Sequence, residues 1–133
     1  MPRRLYDGLY RIRRNPALSL CTARGCPYRC IFCQNPGGTQ YRYRSMDSVM
    51  AEIDYDLQHY PIRQLVVTDE TFTINRKRTT QFCENFLQRG FEKRVKWVCE
   101  TRVDAVTREL LELLARAGCE AISFGVEAGS QSV

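Results

Sequence analysis

Short apolar runs alternate with amphipathic stretches through most of this chain. That alternation narrows the fold more than any other feature. Ala17-Leu18-Ser19-Leu20-Cys21, Gln64-Leu65-Val66-Val67-Thr68, Val95-Lys96-Trp97-Val98-Cys99 and Ala121-Ile122-Ser123-Phe124-Gly125-Val126 each read as a strand. The second is the kind of apolar run found in a strand buried on both faces. Three helical patterns lie between them. Ser45 is the expected N-cap of the first, whose Val49, Met50, Ile53 and Leu57 recur at helical spacing up to Pro61. The second starts near Asn75, carries Phe82, Cys83, Phe86 and Leu87, and closes at Gly90. Thr107 caps the third, with Leu110, Leu111, Leu113 and Leu114, closed by Gly118. Strands separated by helices at roughly 30-residue spacing make parallel βαβ units. Crossovers between parallel strands are right-handed, so the units wind in one sense. The expected class is α/β: a partial (β/α) barrel of parallel strands, with four strands and three helices.

In such a barrel the chemistry sits at the C-terminal ends of the strands. The loop after the first strand carries Cys26-Pro27-Tyr28-Arg29-Cys30-Ile31-Phe32-Cys33, and Asn35-Pro36-Gly37-Gly38 extends it as turn chemistry. The loop after the second strand carries Asp69 and Glu70. Glu100, Arg102 and Glu127 follow the third and fourth strands. The chemistry-bearing residues are thus expected on one rim.

Three cysteines at C-x3-C-x2-C can ligate three irons of a [4Fe–4S] cube and leave the fourth iron without a protein ligand. A closed electron-transfer cluster takes four cysteines, at other spacings. An open iron is a place where a cofactor or substrate binds and receives an electron directly. Other readings stand beside this one. Cys21 precedes the trio, so a four-thiolate zinc or closed iron–sulfur site is an alternative. A disulfide framework fits poorly with seven cysteines, an odd number, and with Met1 leading straight into Pro2-Arg3-Arg4 without a secretory pattern. Buried thiols serving as small hydrophobes suit Cys83, Cys99 and Cys119, which sit in apolar patterns. They do not suit three cysteines beside Gly25, Pro27 and Arg29 in a loop. Cys21 is read as the inward-pointing end of the first strand.

The composition, 44% hydrophobic and 26% charged, is that of a globular chain of one ordinary domain. No apolar run approaches a membrane span. Free thiols and an oxygen-sensitive cluster point to a reducing cytoplasm. The net charge of +5 is unevenly placed. Residues 1–45 hold nine Arg and one Asp, a balance of +8, whereas residues 46–133 hold eleven Lys and Arg against fourteen Asp and Glu, a balance of −3. Residues 1–16 show no sustained period and read as a basic linker or arm ahead of a domain over 17–133. Arg interleaved with Tyr6, Tyr10, Tyr28, Tyr41 and Tyr43 suits RNA phosphates and bases; an arm docked on an acidic neighbour explains the same charge.

Four segments, in order, resemble the radical S-adenosylmethionine (radical SAM) superfamily. They are Arg24-Gly25 through Cys33, Thr68-Asp69-Glu70-Thr71-Phe72, Glu100-Thr101-Arg102-Val103-Asp104, and Gly125-Val126-Glu127-Ala128-Gly129-Ser130-Gln131. The resemblance covers residues 17–133. The cysteine segment and the run from Thr68 to Asn75 are most similar to the subgroup that carries an N-terminal cobalamin-binding domain. That domain is not within these residues, so cobalamin is an expectation for a longer protein only. The resemblance implies a [4Fe–4S] cluster on Cys26, Cys30 and Cys33, with SAM chelating the open iron. It implies an electron supplied by a donor such as flavodoxin or ferredoxin, and cleavage of SAM to a 5′-deoxyadenosyl radical that acts on a small molecule of unknown identity. Phe32 would face the adenine. The loop after the second strand, usually Gly-Gly-Glu in the family, reads Asp69-Glu70-Thr71 here and would hold the SAM ammonium. Glu100 would accept from the ribose hydroxyls, Arg102 would clamp the SAM carboxylate, and Glu127 is a second ribose or ammonium candidate.

Plainer roles compete with these. Glu100 or Glu127 pairs with Arg102 at the rim, Asp69 is a capping residue, or Arg102 is simply the partner of Asp104. His59 is read as structural. Competing functions are a non-catalytic iron–sulfur or zinc module, and an RNA-modifying enzyme similar to the methylthiotransferases. The family's core has more βα units than are visible here. Residues 17–133 are therefore expected to be the N-terminal part of such a core, with an open apolar edge at 121–126, and to be inactive and self-associating alone.

Overall fold

A computed structural model describes residues 12–125. Strands β1 (Ala17–Leu20), β4 (Gln64–Val67), β5 (Lys96–Thr101) and β6 (Cys119–Phe124) form one parallel sheet in that spatial order. Two short strands, β2 (Ala23–Arg24) and β3 (Arg42–Tyr43), form a separate antiparallel pair. Helices α1 (Met46–His59), α2 (Arg76–Gln88) and α3 (Arg108–Arg116) link the sheet strands. Each new strand is added beside the last, the order of a barrel; a doubly wound sheet reverses direction at a switch point. Among the described residues, β1 and β6 each have one neighbour and form the two edges.

The helix boundaries follow their caps. The Ser45 side chain accepts from Ser48 N, that of Asn75 from Arg78 N, and that of Thr107 from Leu110 N. Each satisfies one of the backbone N–H groups that a helix start leaves unpaired. Gly90 and Gly118 adopt φ of 68° and 89° just past α2 and α3, a left-handed turn that ends a helix without a Cβ penalty. The buried stripe of α1 is Val49, Met50 and Ile53, the i, i+1, i+4 pattern of one face. Trp97 on β5 is fully buried, with Phe72 and Phe82 edge-on at ring-centroid distances of 5.3 Å. Its indole N–H donates to Ala117 O at 2.8 Å, so a bulky aromatic is buried with its one polar atom satisfied.

The sequence expectations meet the structure closely for the four sheet strands and three helices. β1 stops at Leu20, one residue short, so Cys21 lies past the strand end. The β2–β3 pair was expected as plain loop. Its strands have two residues each, too few to show an alternation. They form because the chain returns after the cysteine loop and closes its neck: Cys26 N donates to Gly38 O (2.9 Å), and Arg44 N to Thr22 O (3.0 Å). Residues 1–11 of the basic arm lie outside the described residues. The rest docks on this chain's own sheet. Arg13 N and Arg14 N both donate to Oε1 of the buried Gln64, at 2.7 and 2.8 Å, and Arg14 forks onto Glu120, with N···O distances of 2.6–3.0 Å. No described helix is long and apolar enough to cross a membrane.

Candidate cofactor-binding cleft

A cleft of about 300 Å³ opens at the C-terminal ends of the sheet strands. The loop after β1 contributes Cys26, Cys30, Phe32 and Cys33, and the loop after β4 contributes Glu70 and Thr71. Glu100 to Arg102 line it from the end of β5, and Ser123 to Gly125 from the end of β6. The expected rim is therefore real for seven of the sequence candidates. Glu127 lies outside the described residues.

Each of the three sulfurs meets a polar group from a different place. Cys33 Sγ accepts from Asn35 N at 3.3 Å, and Cys30 Sγ accepts from Arg102 Nη1 at 3.4 Å. Cys26 Sγ lies 3.7 Å from the Thr71 hydroxyl oxygen, which itself donates to Glu70 O. All seven cysteines are free thiols. Among the described residues, no three His, Cys, Asp or Glu side chains converge on one point, as a single metal ion would need. The trio instead flanks an open space. Cys21 faces away, into a neighbouring groove with Arg24, Arg42 and Arg44, and its thiol bonds Ala23 O at 3.4 Å. Three free thiols around one cleft, two of them accepting an N–H, are the kind of donor set an iron–sulfur group takes.

The loop that presents the sulfurs is built on glycine. Gly25 sits at φ 88°, and a Cβ there would lie 2.1 Å from Gln40 O. A Cβ on Gly37 would lie 1.9 Å from Glu70 Oε1 and 2.7 Å from Gly25 N. The Glu70 carboxylate thus rests in a cradle of two glycines and accepts from Gly25 N at 3.1 Å. It lines the cleft while tying the loop after β1 to the loop after β4. Asn35, at φ 44°, donates its side-chain amide to Cys26 O at 3.0 Å. Its Oδ1 is buried without a partner at the cleft wall. Phe32 is 62% exposed, which leaves its ring face available to a ligand.

Asp69 departs from its expected role as a cofactor contact. It is buried at the strand end, turned away from the cleft, and accepts from Thr22 N (2.7 Å), Ala23 N (3.0 Å) and the Thr22 hydroxyl (2.5 Å). The chain leaving β1 has backbone donors with no ladder partner, and the acid after β4 is the nearest acceptor. Buried Arg78 joins the same cluster, donating to Thr22 O at 3.1 Å and stacking on Tyr43. Burial pushes the Asp69 carboxyl above its ordinary 3.8, against the opposing pull of the Thr22 hydroxyl, two backbone N–H groups and Arg78. A raised native pKa means that the fold favours the protonated form. The stability this contributes is complete below the unfolded value and is lost as pH rises through the native one. In urea titrations at several pH values, the wild type should lose stability relative to Asp69→Asn across that window. A difference between the two proteins that does not vary with pH would refute the assignment.

Arg102 also differs from its expectation as an open clamp. Its Nε and Nη2 fork onto Asp104 at 2.9 and 2.6 Å, and its guanidinium lies 4.0 Å from the Tyr28 ring centroid. Only Nη1 is left to reach Cys30. Glu100 is half-buried, and its backbone carbonyl accepts from Phe72 N at 3.0 Å, which draws the loop after β4 over the end of β5. Thr73 and Thr101 share a hydroxyl bond in the same seam. Thr71, named with the loop after the second strand, does line the cleft, whereas sequence reasoning missed Asn35 and Tyr28. The positive-φ tendency of Asn before Pro-Gly-Gly was the available signal for Asn35; Tyr28 gave none beyond its place between two cysteines.

The model of the Radical SAM superfamily matches residues 20–133. An anaerobic magnesium-protoporphyrin IX monomethyl ester cyclase from Cereibacter sphaeroides is 41% identical over 112 residues, which is 82% of this chain and 18% of that protein. A tryptophan 2-C-methyltransferase from Streptomyces laurentii is 27% identical over 129 residues, 91% of this chain and 21% of that protein. The cobalamin-dependent S-adenosylmethionine radical enzyme OxsB, solved with aqua-cobalamin and S-adenosylmethionine bound, superposes with a TM-score of 0.75 at 28% identity, covering 87% of this chain and 19% of that one. The radical S-adenosylmethionine methyltransferase TsrM from Kitasatospora setae, solved with tryptophan and a SAM analogue, gives a TM-score of 0.80 at 24% identity and shares the fold. The chain spans between 18% and 23% of the length of these four proteins.

Proposed function

Because this chain belongs to the radical SAM superfamily, we propose that its cleft holds a [4Fe–4S] cluster on Cys26, Cys30 and Cys33, with S-adenosylmethionine bound beside it. When bound, the two together supply a one-electron reduction of a sulfonium and the 5′-deoxyadenosyl radical that follows. The chain's own residues hold, orient and shield. Phe32 offers an exposed ring for the adenine to stack on. Glu100, at the end of β5, accepts from the ribose hydroxyls. Glu70 holds the cleft floor in place through Gly25, and its free lone pairs face the SAM ammonium. Asn35 Oδ1 is a further acceptor for a ligand N–H. Glu127 is a second ribose or ammonium candidate.

The observation that carries this reading is the placement of three free thiols around one cleft, each beside a polar group from a different segment, at the strand ends where Glu70 and Glu100 also lie. In the whole protein the substrate is a small molecule reached from this cleft, and the electron comes from a one-electron donor protein in a reducing cytoplasm. The names of the relatives favour methyl transfer with cobalamin as the finer reaction. Metal analysis tests the reading. Anaerobic reconstitution should give about four iron and four sulfide per chain. One zinc per chain and no sulfide would replace the proposal with a binding module.

A further inference from the structure

Arg102 is placed unlike an ordinary surface arginine. Its planar group is fixed on three sides. Asp104 takes two N–H groups at 2.9 and 2.6 Å, the Tyr28 ring lies 4.0 Å from the guanidinium carbon, and Nη1 meets Cys30 Sγ at 3.4 Å. Tyr28 and Cys30 belong to the cysteine segment, whereas Arg102 and Asp104 follow β5. The contact therefore spans 72 residues of chain and aims a positive donor at one sulfur of the three.

We infer that Arg102 is a positioning residue that raises the reduction potential of the iron–sulfur group at Cys30, with Asp104 and Tyr28 holding it in place. The inference rests on the proposed cluster. Reduction adds one electron from a donor to the cluster and moves no atom, so its free energy depends on how well the surroundings stabilise the added negative charge. Hydrogen bonds to the cluster's sulfurs and nearby charge set that quantity. A charge-assisted N–H···S bond is stronger in the reduced state than in the oxidised one, because the sulfur is then more negative. A fork fixed by a carboxylate and a ring loses little freedom in making it. This also accounts for a pair that sequence alone reads as a plain surface couple. Asp104 does not neutralise Arg102 uselessly but sets which nitrogen remains to face the sulfur.

The test is a redox titration of reconstituted protein with dithionite, followed by the cluster's absorption and its electron paramagnetic resonance signal. Iron and sulfide content is measured first. A wild type that takes up no cluster sinks the parent reading, and the inference falls with it, by a result distinct from those below. Arg102→Gln should lower the reduction equilibrium about tenfold, which for a one-electron couple is about 59 mV toward the negative. Arg102→Lys, which keeps the charge, should recover part of that shift. Arg29→Gln, which removes the same charge from the cysteine segment, should shift the midpoint less than half as far. If Arg102→Gln takes up no iron, Tyr28→Leu and Arg102→Lys decide, and negative shifts in both support the inference. Wild-type midpoints in fully loaded Arg102→Gln, or in both of those variants, overturn it. So does an equal shift in Arg29→Gln, which would reduce the effect to bulk charge.

Discussion

Replacing Cys26, Cys30 or Cys33 with Ala should abolish the reconstituted cluster, while Cys21→Ala should retain it. The three thiols line one cleft, and Cys21 opens onto a different groove. A cube held by three protein thiolates loses a third of its anchors with each change, and the remaining two cannot fix it against chelators. The comparison is made on iron content per chain and on the broad charge-transfer absorption after desalting. Circular dichroism should be unchanged in all four variants, since none of these side chains belongs to the buried apolar cluster. Loss of the cluster in Cys21→Ala as complete as in the others would mean four protein ligands and no open iron.

Gly25→Ala should remove nearly as much cluster, without touching a ligand. Two effects add. At φ 88° an Ala backbone is strained by about 1–3 kcal/mol, and the new methyl would stand 2.1 Å from a backbone oxygen, Gln40 O, which has no rotamer by which to retreat. The neck of the cysteine loop must open. Cys26 N then loses Gly38 O, and Gly25 N loses Glu70. The core lies at the other end of these contacts, around Trp97 and Phe82, so the fold should persist, with a thermal midpoint lowered by roughly 3–15 °C. Iron content measured beside the melting curve separates this account from general unfolding. Full iron occupancy in Gly25→Ala would show that the neck does not govern the site.

The sheet and its helices were legible because each carries a long-period signal. Leu65 to Val67 is apolar throughout, and Ser45, Asn75 and Thr107 stand where a helix start needs a side-chain acceptor. The place of Cys26, Cys30 and Cys33 at the strand ends was legible because they stand together in the turn-rich loop after the first strand. What escaped depends on distant partners. β2 and β3 pair Ala23 with Tyr43 and Arg24 with Arg42 across the whole cysteine loop, and two residues cannot announce a strand. Asp69 looked like a cleft acid because it stands at a strand end. In the fold it serves Thr22 and Ala23, whose backbone donors are invisible in a list of side chains. Glu70 was correctly placed at the rim, but its seat between Gly25 and Gly37 follows from close packing of two loops. Arg102 was read as a clamp or as Asp104's partner; its reach to Cys30 appears only when the end of β5 is folded against the cysteine loop.

The measurement closest to the central claim is the effect of S-adenosylmethionine on the spectrum of the reduced cluster. The account predicts that saturating SAM changes the electron paramagnetic resonance signal, because its amino and carboxylate groups would bind the one iron that a cluster held by Cys26, Cys30 and Cys33 would leave open. It predicts a weaker response in Glu100→Ala at the same SAM concentration, with iron content unchanged. A hydrogen bond to a charged group is worth about 1.5–3 kcal/mol, about tenfold or more in affinity. An identical signal with and without SAM, in protein carrying a full complement of reducible cluster, would contradict it.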